Sequence, residues 1–117
     1  EDLAEIGYDP NNLFFATYDW RLSFKDLEKR DHYFTSLKYL IEMAYIKNQN
    51  QPAIIVSHSL GGTLVMYFMQ WVSQPQTGGP NWLNKYVKGF VNIGGTLLGV
   101  PKAVSAVVSG VINFQIW

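Results

Sequence analysis

The sequence predicts an α/β fold in which three short parallel strands, near residues 13–18, 53–57 and 89–93, alternate with helices. Two observations predict it. Each of the three segments is short and mostly apolar, as a strand buried on both faces must be. The stretches between them read as helices, one by apolar residues spaced by threes and fours and one by a near-continuous apolar run, so strands and helices alternate.

The elements follow in chain order. Residues 1–6 read as the end of a helix, stopped by Gly7 and the turn cluster Asp9-Pro10-Asn11-Asn12. Leu-Phe-Phe-Ala-Thr-Tyr at 13–18 is the first strand, and Asp19-Trp20-Arg21 leaves it. Ser23 or Asp26 can cap a long helix running to about Lys47, with Leu27, Phe34, Leu37, Leu40, Ile41 and Ala44 on one buried face. The turn at 48–52 leads into the second strand. Residues 60–73 form a helix with few polar positions, expected to be buried on most sides. Pro75, Gly78, Gly79 and Pro80 break the chain, and residues 82–86 form a helical turn before the third strand. Pro101 can start a last helix through about Val108.

The totals exclude several functions. The 117 residues suffice for about one small domain. Nine basic and nine acidic residues balance, so no electrostatic footprint for nucleic acid exists. There is no cysteine, hence no disulfide, thiolate metal site or thiol nucleophile. No run reaches the ~20 apolar residues that span a bilayer.

The chemistry concentrates in Ser57-His58-Ser59-Leu60-Gly61, between a strand and a helix. A serine hydroxyl is a weak nucleophile until a base takes its proton and nearby donors hold the oxyanion. A nucleophile elbow supplies the geometry: a sharp strand-to-helix turn with the serine at its tip. The next residue's N–H faces the developing charge, and small residues lie two positions to either side. Ser57 stands where the strict Gly-x-Ser-x-Gly pattern has its first glycine. Ser59 therefore reads as the nucleophile and the Leu60 backbone as an oxyanion donor; the alternative is that Ser59 caps the following helix. His58 is a tempting base, but adjacent strand side chains point to opposite faces. His32 lies mid-helix and reads as a surface or half-buried residue. Residues 94–99 have the glycine spacing of a phosphate loop. Val100-Pro101 stand where Lys and Ser/Thr are required, so nucleotide binding is rejected.

These residues resemble a known family. IGYDPNNLFFATYDWRLSFKDLEKRDHYFTSLK, SHSLGG, MYFMQWV and NIGGTLLGVPKAVSAVVSG together resemble the phospholipid:diacylglycerol acyltransferase branch of the lecithin:cholesterol acyltransferase family. The resemblance runs from about Leu3 to Gly110 and fades over the last residues, VINFQIW. It implies a Ser-Asp-His enzyme on an α/β-hydrolase core, of which this chain is a central fragment carrying the elbow. It implies transfer of an acyl group from the sn-2 position of a phospholipid to diacylglycerol, giving triacylglycerol and a lysophospholipid, with no cofactor or metal. The family nucleophile maps onto Ser59 and the elbow's oxyanion donor onto Leu60. The acid, the base and the second oxyanion donor would lie outside these residues, so the isolated chain is expected to be inactive. The partners implied are the two lipid substrates and, for the full-length parent, the endoplasmic reticulum membrane.

Two further stretches stay open. Asp19-Trp20-Arg21 either fixes its loop as an ion pair beside a packed Trp or lines the acyl or headgroup site. Leu97-Leu98 can touch an acyl chain or simply pack in the core. Three functional classes remain: an acyltransferase, a lipase or phospholipase A sharing the same acyl-enzyme, and a non-catalytic fragment or interaction module. In the family's strand order, 53–57 and 89–93 are neighbours, and 13–18 does not pair directly with 53–57.

Overall fold

The computed structural model describes residues 2–95 and Leu97. The helix expected at 101–108 lies outside them. The elements are α1 (Asp2–Glu5), α2 (Phe24–Asp31), α3 (Tyr33–Lys47), β1 (Ala53–His58), α4 (Gly61–Val72), α5 (Trp82–Tyr86) and β2 (Val87–Ile93).

β1 and β2 pair in parallel, with Ile55 opposite Phe90, Val56 opposite Val91, Ser57 opposite Asn92 and His58 opposite Ile93. α4 follows β1, and α5 leads straight into β2. The expected third strand is not formed. Residues 13–19 carry no ladder among the described residues, and the sheet has two strands. Apolar composition gives a segment the propensity to extend, but a strand exists only through backbone bonds to a neighbour. The two strands that do form, β1 and β2, are neighbours, as expected.

The long helix expected to reach Lys47 is two helices. His32 breaks it in the left-handed conformation, with φ of 50°. Its N–H donates to the Glu28 carbonyl and so ends α2. The Glu28 side chain then starts α3. One carboxylate oxygen accepts from the N–H of Phe34 at 2.7 Å and of Thr35 at 3.1 Å, two donors a helix start otherwise leaves unpaired. The other oxygen accepts from the Thr35 hydroxyl. Ser23 caps α2 as expected: its Oγ accepts from the Asp26 N–H at 3.2 Å.

The core gathers Leu27, Phe34, Ile41, Leu64, Phe68, Val72 and Trp82 from α2, α3, α4 and α5. Phe34 and Phe68 are fully buried, with rings 6.3 Å apart and nearly parallel. The Trp82 indole N–H donates to Glu42 at 2.7 Å, so the buried ring's polar edge is satisfied. Ala53, Ile55 and Val87 pack against this cluster from the sheet. The sheet was expected to be covered on both faces; among the described residues only one is. Ile54, Val56, Val91 and Ile93, alternating with the inward residues, remain 54%, 61%, 48% and 53% exposed. α4 is likewise less enclosed than its composition predicts: Gly62, Leu64, Val65, Phe68 and Val72 are buried, while Met66 and Gln70 face out.

Candidate active site

The turn from β1 into α4 holds the residues singled out in the sequence. Ser59 sits between the last strand residue, His58, and the helix, with φ of 54°. The left-handed region costs an L-residue roughly 1–2 kcal/mol, so its surroundings must hold it there. They do so through the backbone. The Ser59 N–H donates to the Ile93 carbonyl at 3.0 Å, extending the β1–β2 ladder one residue past the strand. The Ser59 carbonyl accepts from the Gly62 N–H at 3.1 Å and starts the first turn. This is the backbone a nucleophile elbow requires. The capping alternative does not describe it: Leu60 is the residue at the N-cap of α4, and no side chain caps that end.

With that end uncapped, the N–H groups of Leu60 and Gly61 have no backbone acceptor among the described residues. They are the N-cap and first residue of a twelve-residue helix, where unpaired donors and the helix dipole favour negative charge. Ser59 is exposed beside them. A tetrahedral oxyanion formed at this serine would meet donors that are already fixed in place.

Ser57 is the only buried polar residue among the described residues, 7% exposed. Its Oγ donates to Asn92 Oδ1 at 3.2 Å, and Asn92 Nδ2 donates to the Gly95 carbonyl at 3.3 Å. The close strand–helix approach was expected at Ser57 and Gly61. A Cβ on Gly61 would lie an ordinary 3.5 Å from the Ser57 Cβ. The tight position is Gly62, where a Cβ would fall 2.6 Å from Asn92 Oδ1. Asn92 was not singled out in the sequence. The available signal was an amide placed between Val91 and Ile93 in an apolar strand. His58 ends the outward face of β1 beside Ile54 and Val56 and is exposed; His32 is exposed at the α2–α3 junction.

The second candidate stretch lies elsewhere on the chain. Arg21 donates from Nε to Asp19 Oδ1 at 2.9 Å and from Nη2 to Oδ2 at 3.0 Å, a two-pronged pair. Arg30 reaches the same carboxylate at 3.4 Å and pairs with Asp31 at 2.6 Å. The bond from Arg21 is the main cause that holds the Asp19 carboxyl well below the usual carboxylate range. Arg30 similarly lowers Asp31. Burial pushes the Tyr33 hydroxyl up to about 12, and that hydroxyl donates to the Ala16 carbonyl at 3.2 Å. The ion pair expected within Asp19-Trp20-Arg21 is present. The packed Trp is not, since Trp20 is 55% exposed. These residues, with Tyr18 and Tyr33, line an open cleft of about 630 Å³.

The lecithin:cholesterol acyltransferase family profile matches residues 1–116. The chain belongs to the lecithin:cholesterol acyltransferase family. The match continues past Gly110, where the resemblance read from the sequence fades. The phospholipid:diacylglycerol acyltransferase of Schizosaccharomyces pombe is 46% identical over 112 residues, 94% of this chain and 18% of that protein. Its Saccharomyces cerevisiae namesake is 44% identical over 114 residues, 94% of this chain and 17% of that protein. The human lysosomal phospholipase A and acyltransferase is 35% identical over 111 residues, 94% of this chain and 24% of that protein. The chain thus spans under a fifth of the acyltransferases it most resembles among these. No solved structure matches.

Proposed function

We propose that these residues are the central, elbow-bearing part of a single α/β-hydrolase domain in an O-acyltransferase, which moves a fatty acyl group from a phospholipid to diacylglycerol. The observation that carries this reading is the left-handed Ser59 beside N–H groups of the α4 start that have no backbone acceptor among the described residues. The identity to two proteins named phospholipid:diacylglycerol acyltransferase supports the choice of donor and acceptor.

In this mechanism Ser59 Oγ attacks the ester carbonyl of the phospholipid while a general base from the parent enzyme takes its proton. The carbonyl oxygen gains the negative charge, and the Leu60 N–H donates to it. Collapse breaks the ester bond, and the lysophospholipid leaves with a proton returned from the base. The hydroxyl of diacylglycerol then attacks the acyl-serine, releasing triacylglycerol and restoring Ser59. Asp19, Trp20 and Arg21 are proposed to line the entrance used by the lipid. The cleft they border combines paired charges with exposed aromatic surface, a mixture that suits the boundary between headgroup and acyl chain. No cofactor or metal takes part in this scheme. Among the described residues no helix is long and apolar enough to cross a membrane. The parent is proposed to work at the endoplasmic reticulum membrane, as its resemblance to the phospholipid:diacylglycerol acyltransferase branch implies.

The relatives named for phospholipase A support a second reading, in which water takes the acyl group. The acyl-enzyme is common to both, and exclusion of water against binding of the acceptor decides between them. The test is to supply the parent enzyme with phospholipid labelled in its sn-2 acyl chain plus diacylglycerol. Label recovered chiefly in triacylglycerol is expected. Label recovered chiefly as free fatty acid would contradict transfer, and no release of label would contradict both readings.

A further inference from the structure

We propose that Asn92 is a positioning residue for the elbow, acting through Ser57 to hold Ser59 and the Leu60 N–H in register. The inference rests on the reading of Ser59 as the nucleophile. A strand register, two hydrogen bonds and the space left by two glycines carry it. Asn92 stands opposite Ser57 in the β1–β2 register, on the inward face of the sheet. Ser57 Oγ donates to its Oδ1 at 3.2 Å, two residues before the nucleophile. Its Nδ2 donates to the Gly95 carbonyl at 3.3 Å, so the same amide is tied to the turn that follows β2. Two glycines leave it room: a Cβ would fall 2.6 Å from Oδ1 at Gly62 and 1.9 Å from Oδ1 at Gly95.

The amide is therefore wedged between the first turn of α4 and the chain after β2, with both ends bonded. Turning it would break one of those bonds, and neither Gly62 nor Gly95 could carry a Cβ beside it. That rigidity reaches the nucleophile through Ser57, and it complements the backbone bond from Ser59 N–H to the Ile93 carbonyl next to Asn92. A glycine at the first elbow position would have no hydroxyl to give. Ser57 and Asn92 thus form a matched pair: the hydroxyl that departs from the usual elbow pattern is the one the amide receives. A nucleophile held by this pair sits in attack geometry before substrate arrives, and displacements near 1 Å cost up to about 100-fold in rate.

The experiment uses the full-length enzyme with Asn92→Ala, Ser57→Gly and the double variant. The rate at which a fluorophosphonate acylates Ser59 is read together with kcat, KM and the thermal midpoint. Asn92→Ala is expected to slow both Ser59 acylation and kcat by ~10–100-fold with KM within twofold. The Asn92→Ala loss should largely vanish on the Ser57→Gly background, because the partner through which it acts is gone. Ser57→Ala, which keeps the Cβ and removes only the hydroxyl, carries the same test if Asn92→Ala does not fold; it should slow acylation at unchanged KM. Losses that add across the pair, or that follow the thermal midpoint or KM, would overturn the proposal. Variants that acylate at the wild-type rate would overturn it while leaving Ser59 as nucleophile. A wild-type enzyme in which Ser59 does not acylate would overturn the nucleophile reading, and the role of Asn92 with it.

Discussion

Two polar turns in this molecule follow apolar stretches and open onto helices, and they are built in opposite ways. At Ser59 the backbone is strained and the support is internal: a ladder bond to Ile93, a buried Ser57 and an amide lodged against Gly62. At Asp19 the support is external, a group of ion pairs in which Arg21 and Arg30 are 73% and 54% exposed. Exposed ion pairs contribute little to stability and are screened by salt. A strained residue persists only where its surroundings over-determine it, and such sites cluster where strain serves chemistry. The difference teaches which turn has its geometry fixed. The same reasoning separates Ser59 from His32, which is also left-handed at 50° but joins two helices, where the Glu28 carboxylate already accepts from the N–H groups of Phe34 and Thr35.

The largest expected effect is on the internally supported turn. Ser59→Ala in the parent enzyme should lower acyl transfer by on the order of 10⁴-fold or more, with expression near normal. Activity within tenfold of wild type would erase the contrast. Ser59→Gly sharpens it. Glycine accepts a positive φ freely, so this variant should lose activity equally yet unfold about 1 kcal/mol harder than Ser59→Ala. Equal stability of the two would mean that the turn stores no strain.

Next comes the layer behind the elbow. Phe34→Ala removes a fully buried ring stacked on Phe68 of α4, and a loss of about 3–5 kcal/mol is expected from denaturant unfolding. Glu28→Ala leaves the N–H groups of Phe34 and Thr35 without their carboxylate, and about 1–2 kcal/mol should follow.

The smallest effect belongs to the external turn. Asp19→Asn should shift the thermal midpoint at neutral pH by little, and less still in high salt. The sign of its pH dependence follows from a carboxyl whose folded pKa is depressed. Its contribution is complete above the ordinary carboxylate range near ~4 and is lost as pH falls below it. Comparing wild type with Asp19→Asn from pH 6 to pH 2 should show the gap between them closing on the acid side. A gap that widens there would reverse the assignment.

Much of this was legible in advance because it is local. The elbow is five consecutive residues, the Ser23 cap sits three residues from its donor, and Leu27, Phe34 and Ile41 mark their buried face by spacing alone. What was not legible is non-local or lacks punctuation. His32 breaks a helix with no glycine or proline to announce it, and the cap for the next helix comes from Glu28, six residues before Phe34. Residues 13–18 have strand composition, but pairing depends on a partner that composition does not name. Asn92 meets Ser57 across 35 residues, and only the parallel register brings them together.

The central claim is that the strained serine becomes an acyl-serine. The direct measurement is to mix the parent enzyme with phospholipid, without diacylglycerol, quench in acid and map the acylated peptide by mass spectrometry. The account predicts the acyl mass on Ser59, discharged when diacylglycerol is added before the quench. An acyl group on any other residue, or turnover with Ser59 never modified under conditions that trap the intermediate, would contradict it.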